Sequence, residues 1–389
     1  MGSGIDGAAL RAAREAAGVS LSVLAVRTNY SKSLLALLET GKRTIHADHV
    51  RAYSRALGVS IGALDVPPND PLRTAHEWLV RDQPASAEGR AGRRVGAGLA
   101  AAIKRRVAQL RRLDDEVGSS ALYPLVAGEL SRAKSLVREA TYGPEVGRRL
   151  FTVVAELCQL AGWVASDAGR YGEAQRTYLE GVSAADRAGA RTLAAQLLSS
   201  LSYQIANVGD PADALLLAQT AVAGAEGATP AVRALLLERV AWAAARARDT
   251  AATRRALDAV DDAFDHRGTE PDPDWVYWLN RDEIDVMAGR CHVELGDPVR
   301  AEPLLARVIE RYPAHHERER ALYRTWLAEA LARAGRLADA REVLALIPGQ
   351  IDSDRVRRRL AVLAGLMTGR ASAVTVPTAG HTAGAAGPR

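Results

Sequence analysis

Residues 10–43 read LRAAREAAGVSLSVLAVRTNYSKSLLALLETGKR, and their punctuation decides how the chain begins to fold. Leu10, Ala13, Arg14 and Ala17 recur at steps of three and four, the spacing of one helical face. That predicts a first helix over 7–17, stopped by Gly18, the residue type that most readily adopts a left-handed C-cap. Ser20 caps a second helix over 21–28, with Leu24 and Ala25 turned inward. After a turn at Asn29 and Tyr30, Ser31 caps a third helix over 32–40, ended by Gly41. A fourth is expected over 47–57, ended by Gly58, and Ser60 starts a short fifth. Five short capped helices make a compact bundle.

The composition extends that reading to the whole chain. Among 389 residues Ala, Leu and Arg dominate, Phe occurs twice and long β-branched runs are missing, which predicts an all-α protein. Nearly all positive charge is Arg, and the Ala/Arg/Gly bias is what a GC-rich bacterial genome produces. A net charge of +5 permits nucleic-acid binding without demanding it. Its placement says more: residues 1–66 carry eight Lys/Arg against five Asp/Glu, and residues 90–112 carry eight Lys/Arg and no acid. Cys158 and Cys291 stand far apart in apolar context, which suits a reducing compartment. The start MGSGIDGAAL has neither a basic stretch nor an apolar core, and no segment approaches 18 apolar residues. A cytoplasmic protein with no membrane association is the expectation.

The N-terminal stretch resembles the XRE family of helix-turn-helix domains, which includes phage repressors. The resemblance rests on Gly18-Val19-Ser20, Leu24-Ala25, Ser31, Leu35, Leu38-Glu39, Gly41-Lys42-Arg43 and Ala56-Leu57-Gly58-Val59-Ser60. It implies a lambda-repressor-like five-helix fold in which the third helix enters the major groove of double-stranded DNA and the second crosses the backbone. Carried over position by position, it makes Lys32, Ser33 and Leu37 base readers and Ser31, Lys42 and Arg43 backbone contacts. Arg14 and Glu39 match a structural ion pair locking helix three onto helix one. The chain departs from the family in having Leu21 after Ser20 and apolar Ala36 and Leu37 on the reading helix. Leu37 could meet a thymine methyl; alternatively the helix has few polar readers and the domain serves protein contacts.

Val66-Pro67-Pro68-Asn69-Asp70-Pro71 ends this first domain, expected over 1–66. A linker follows over 67–118, with a short helix at 72–81 and a long one at 93–117. The long helix stacks Val95, Leu99, Ile103, Val107, Leu110 and Leu113 on one stripe, with Lys104, Arg105, Arg106, Arg111 and Arg112 facing elsewhere. Those cations read either as a phosphate-tracking surface or, the favoured reading, as a solvated face beside Asp114, Asp115 and Glu116.

From 119 to 367 amphipathic helices alternate with short turns, and a Gly-x4-Ala spacing recurs at Gly169/Ala174, Gly209/Ala214, Gly296/Ala301 and Gly335/Ala340. Ala247 and Ala252 take the matching places in one degenerate unit. Such a period predicts stacked helix pairs, because one pair cannot bury its apolar face alone. The array resembles tetratricopeptide repeats, best at Gly289, Gly296, Ala301, Leu305 and Pro313, and again at Gly162, Gly169, Ala174 and Tyr178. The units are longer than usual, so the expectation is a TPR-like α-solenoid. The resemblance implies a concave groove for a peptide or protein effector, and fused to an XRE domain it implies sensing and dimerisation. The tail over 368–389 is Ala/Gly/Thr/Pro-rich and is expected to be disordered.

Trp163, Trp242, Trp275, Trp278 and Trp326, with Tyr203 and Tyr277, either line a groove or pack the core. Asn207, Arg239, Arg281 and Arg324 are candidate groove contacts. His315, His316 and His292 have no further ligand at metal spacing and read as surface. No Gly-rich phosphate loop, nucleophile elbow or HExxH is present, so no enzyme, cofactor or metal is expected. The resulting expectation is a DNA-binding transcriptional regulator, a homodimer of the actinobacterial type, whose array senses an effector. The alternative is a TPR-like interaction adaptor with weak or no DNA binding.

Overall fold

The computed structural model describes residues 7–43, 45–57, 70–80, 89–90, 92, 94–266, 268 and 271–368. It is all-α, with eighteen α-helices among the described residues, and it divides into two units, Met1–Asp82 and Gln83–Arg389.

In the first unit the helices are α1 (Gly7–Ala16), α2 (Leu21–Thr28), α3 (Lys32–Glu39), α4 (Ala47–Leu57) and α5 (Pro71–Leu79). Gly18 and Gly41 hold the left-handed turns that end α1 and α3, at φ 67° and 68°. Asn29 takes the same conformation after α2. The Ser20 and Ser31 hydroxyls accept from the backbone N–H of Val23 and Leu34. Leu10, Leu24, Leu35, Leu38, Val50 and Tyr53 fill a core from all four of the first helices. The short helix expected from Ser60 lies outside the described residues.

The second unit opens with α6 (Ala97–Glu116) and α7 (Ser119–Glu139). A two-residue antiparallel ladder joins Gly89–Arg90 to Thr141–Tyr142. Five helix pairs follow: α8 (Pro144–Asp167) with α9 (Tyr171–Ala188), α10 (Arg191–Val208) with α11 (Pro211–Ala223), and α12 (Pro230–Arg246) with α13 (Thr250–Asp265). Then come α14 (Arg281–Leu295) with α15 (Pro298–Arg311) and α16 (Glu317–Arg333) with α17 (Leu337–Ala345), and α18 (Asp354–Met367) ends the array. Pro at the first position of α8, α11, α12 and α15 fits a site where no N–H is needed.

The turn within a pair is left-handed in four of the five, the exception being Gly209 between α10 and α11, at φ −129°. Gly169, Gly296 and Gly335 sit there in the left-handed region. In the degenerate unit that position is held by Arg248, at φ 62°, so the pairing expected at Ala247/Ala252 is corrected by one residue to Arg248/Thr253. Five residues past each turn stands a fully buried small side chain: Ala174, Ala214, Thr253, Ala301 or Ala340. Seven residues before it stands another: Gly162, Ser202, Ala241, Gly289 or Ala328. These small residues let the two helices of a pair approach closely. A Cβ at Gly162 would stand 2.5 Å from the Tyr178 ring, and one at Gly289 would stand 2.8 Å from Leu305.

The array closes on itself. The Asp167 carboxylate, at the end of α8, accepts from the Ser119 hydroxyl at 2.8 Å, the Ser353 hydroxyl at 2.7 Å and Arg355 Nε at 2.7 Å. Arg318 from α16 reaches the same carboxylate at 3.7 Å and the Asp114 carboxylate at 3.1 Å. Asp352 takes the N–H and hydroxyl of Ser120 at 2.8 and 2.7 Å, and Asp354 takes the Tyr171 hydroxyl. The last helix is thereby fastened to the first pair.

Two outcomes follow. Gly162→Ala overpacks against Tyr178 and is expected to cost about 1–3 kcal/mol in denaturant unfolding, whereas the same change at solvent-facing Gly98, where an added Cβ meets nothing, leaves stability within about 0.5 kcal/mol. Burial opposes the charge of Asp167, yet Arg355, Arg318 and the hydroxyls hold its pKa at about 2, below the ordinary 3.8. A depressed carboxylate stabilises the fold above its unfolded pKa and loses that stabilisation as pH falls, here between 3.8 and about 2; the loss amounts to about 2 kcal/mol. Calorimetry of Asp167→Asn should show a lower melting temperature at neutral pH and a shallower decline over that window.

Candidate functional site

Two places concentrate exposed or uncompensated polar chemistry, one in each unit. In the first, α3 presents Lys32 and Ser33 in its opening turn, both exposed, and Leu37 one turn later above Ser33, 38% exposed. Ser31, at the cap, uses its oxygen on the Leu34 N–H at 3.1 Å. The turn after α3 is tied down: Gly41 N–H donates to the Leu38 carbonyl, and Lys42 and Arg43 N–H both donate to the Leu37 carbonyl. That holds the exposed Lys42 and Arg43 side chains at the end of the same helix.

Behind this surface lies a buried ion pair. Arg14 Nε and Nη2 meet the two Glu39 oxygens at 2.7 Å each, a bidentate pair that sets α3 against α1. Arg14 Nη1 also donates to the Val19 carbonyl at 3.0 Å, and the Tyr53 hydroxyl on α4 donates to Glu39 at 3.0 Å. Tyr53 gave no signal beyond its place on an apolar face. Val23 and Val26 on α2 stand 44% and 80% exposed, adding apolar surface near Leu37's helix.

In the second unit the first helices of successive pairs turn one face toward a cavity of about 590 Å3. Its walls carry Trp163, Tyr203, Glu238, Arg239, Met287 and Arg290; Arg355 from α18 and Arg318 from α16 close it. The 266–280 connection, with a short 3-10 turn at Asp274–Val276, contributes Trp275, Tyr277 and Trp278. Six residues before each turn stand Trp163, Tyr203, Trp242, Arg290 and Glu329, so the repeat itself builds a ladder. Trp163 stacks on Tyr203 with centroids 5.9 Å apart, and Trp242 meets Tyr203 at 6.4 Å and Trp326 edge-on at 5.5 Å. The Arg290 guanidinium lies 4.4 Å from the Trp242 ring, and that of Arg239 lies 4.6 Å from the Tyr203 ring. Arg290 also donates to the Tyr203 hydroxyl at 2.9 Å. Burial alone would raise the pKa of that hydroxyl, but Arg290, Arg355 and Arg239 together bring it down to about 8.

The structure thus brings together Tyr203, Arg239 and Trp278, with Trp242 packed beneath, and it separates three other groove candidates from them. Asn207 spends its amide on the Tyr203 carbonyl at 2.6 Å and borders a different, smaller cavity. Arg281 is drawn between Asp261 at 2.7 Å and Asp285 at 3.0 Å, on a groove of about 500 Å3 between α13 and α14. Arg324 donates to the Leu346 carbonyl at the end of α17. Each answers a local carboxylate, amide or helix end that a linear reading does not place. The basic stripe of α6 needs a similar correction: Arg111 turns inward, 6% exposed, to meet Glu156 at 3.1 Å. Leu99, expected on the apolar stripe, is exposed. His315 and His316 lie side by side, while His292 borders the α13–α14 groove; among the described residues no three metal ligands cluster. Cys158 and Cys291 are free and buried, and burial pushes the Cys158 thiol up to about 12. Among the described residues no helix is long and apolar enough to cross a membrane.

Residues 7–65 match the family described as "Helix-turn-helix domain", and residues 292–363 match "Tetratricopeptide repeat". The chain therefore carries a helix-turn-helix domain at its start and tetratricopeptide-repeat structure in the last pairs of its array. No curated protein matches it in sequence. Among solved structures it is similar to a mutant of PrgX at 10% identity, over 87% of this chain and 99% of that one, with a TM-score of 0.36.

Arg14→Met leaves the Glu39 carboxylate buried without its guanidinium, and breaking such a pair is expected to cost about 3–5 kcal/mol. Calorimetry of the full chain should then show an early transition for the first unit; the double change Arg14→Met with Glu39→Leu should recover most of the loss.

Proposed function

We propose that the chain is a sequence-specific DNA-binding transcriptional regulator. The observation that carries this reading is the pairing of exposed Lys32 and Ser33 at the start of α3 with Lys42 and Arg43 fixed at its end. A helix presented in this way can insert its first turn into the major groove, where Lys reaches the O6 and N7 acceptors of guanine. Leu37, one turn on, is placed for a thymine methyl. Lys42 and Arg43 neutralise phosphates and position the helix without reading sequence. The TPR-like array is the sensing and dimerising part; two copies would place two reading helices on the half-sites of a palindrome. The domain limits follow as 1–66 for DNA binding, 67–118 for linker and basic helix, 119–367 for the array, and 368–389 for the tail. Of the α6 cations, Lys104, Arg105, Arg106 and Arg112 stand exposed. Arg106 meets Glu129 and Arg112 lies over the Tyr277 ring, so Lys104 and Arg105 are the readiest for phosphates, whereas Arg111 is spent on Glu156.

A second reading is favoured by the exposed Val23, Val26 and Leu37: these apolar side chains suit a protein surface, which would make the chain an interaction adaptor with little DNA affinity.

Selection of binding sites from random duplex DNA, with salt titration, separates the two. The regulator reading expects a roughly palindromic site whose affinity falls steeply with salt. Lys32→Ala should relax base preference at one position, at a cost of about 1–3 kcal/mol, whereas Lys42→Ala should weaken all sequences alike and lower the salt slope by about one. No enrichment at low salt, with and without cell extract, would sink this reading in favour of the adaptor.

A further inference from the structure

Two buried guanidiniums in the wall of the second unit's cavity have no carboxylate in ion-pair contact among the described residues. Arg355 is matched by Asp167, Arg318 by Asp114 and Glu319, Arg311 by Asp282, and Arg111 by Glu156. Arg112 is exposed and lies 4.7 Å from the Tyr277 ring centroid; Arg239 and Arg290 are buried and matched by no carboxylate. Arg239, 6% exposed, makes no hydrogen bond or ion pair among the described residues, and its Nε is buried without a partner. Arg290, 5% exposed, has the Tyr203 hydroxyl, and its Nε is likewise unpartnered.

The remaining acids do not fill the gap. Glu238 is 1% exposed, and its Oε1 has no partner. Burial pushes its carboxyl up to about 8, so near neutral pH it is largely protonated and offers Arg239 little charge. Glu283 accepts from the Tyr312 and Tyr323 hydroxyls, and Asp115 accepts from Tyr277. Two guanidiniums buried against aromatic faces with no carboxylate in direct contact are costly to the empty protein. Arg111 and Arg359 also carry unpartnered nitrogens, but each holds a carboxylate, Glu156 and Glu329, whereas Arg239 and Arg290 hold none.

We propose that this cavity binds a small molecule carrying a carboxylate on a flat apolar body, with Arg239 and Arg290 taking the carboxylate and the rings of Trp163, Tyr203 and Trp278 bracketing the body. A guanidinium fork matches a carboxylate's two oxygens, and the flanking aromatic faces supply area with little ordering cost. About 590 Å3 accommodates a compact ligand, well within the usual range for such sites. The assignment of this ligand as the effector rests on the proposed role of the array as the sensing part; the binding itself does not.

Four probes test the site on the full chain: indole-3-acetate, its uncharged amide, tryptamine and inorganic phosphate. The readouts are melting temperature and calorimetric titration. Indole-3-acetate should raise the melting temperature and bind at least tenfold more tightly than each of the others. Arg239→Met should abolish that preference while leaving the melting temperature of the ligand-free protein unchanged or higher, because the substitution removes an uncompensated charge. The proposal is overturned if the four probes bind alike, if indole-3-acetate fails to bind at millimolar concentration, or if tryptamine binds best. It is equally overturned if Arg239→Met lowers the ligand-free melting temperature by several degrees, the mark of a purely structural arginine. Separately, DNA affinity measured with and without indole-3-acetate tests its role as effector: binding with unchanged DNA affinity retains the site and removes the sensing role.

Discussion

The carboxylate of Asp167 is the point on which the second unit depends. It collects two serine hydroxyls and two guanidiniums from α7, α16 and the start of α18, and it does so out of water. A buried charge of that kind is tolerable only where several donors converge, so the ends of the array must meet for the charge to be satisfied. The same demand positions Arg355, which reaches from Asp167 to within 4.7 Å of the Trp163 ring and so forms part of the cavity wall. Fold closure and cavity construction are thus one electrostatic problem solved once.

Inside that closed array the middle of the first helix of each pair is largely buried, and its residues divide into two sets. Small residues at fixed distances from the turn admit the second helix, while larger aromatic and charged ones face the cavity. The ladder from Trp163 through Tyr203 and Trp242 to Arg290 is a product of the repeat: one position, occupied in successive units by rings and then by a guanidinium that packs on them. The 266–280 connection breaks the period and brings further aromatics to the same place.

Much of the architecture was legible because it is written in local chemistry. Gly18, Gly41, Gly169, Gly296 and Gly335 mark left-handed turns, and Ser20 and Ser31 mark helix starts, so the bundle and the repeat could be read from spacing. The degenerate unit was misplaced by one residue because Arg248 adopts a conformation normally left to glycine, and Thr253 stands where the others have alanine. The cavity was less legible. Aromatics and arginines were visible as candidates, but which arginine is spent on a neighbour depends on contacts between distant helices. Arg281 goes to Asp261 and Asp285 and Arg111 to Glu156 across 45 residues, whereas Arg239 and Arg290 are buried in the cavity wall with no carboxylate in ion-pair contact among the described residues. Tyr53 was hidden for the same reason: its hydroxyl matters through Glu39, a residue of another helix.

The fastening of α18 to α7 and α8 has a consequence for how the chain acquires its structure. An open repeat array folds by nearest-neighbour steps and can begin anywhere, each pair docking on the last. Here the contacts from Ser120 to Asp352 and from Asp167 to Ser353 span 232 and 186 residues, and such long loops are closed late. During synthesis the helices emerge in order, so the five pairs stand without these closing contacts until α18 has emerged. The wall that Arg355 supplies is therefore the last to be placed, and a chain cut short before Ser353 would carry the repeats with that side of the cavity open and Asp167 short of two donors.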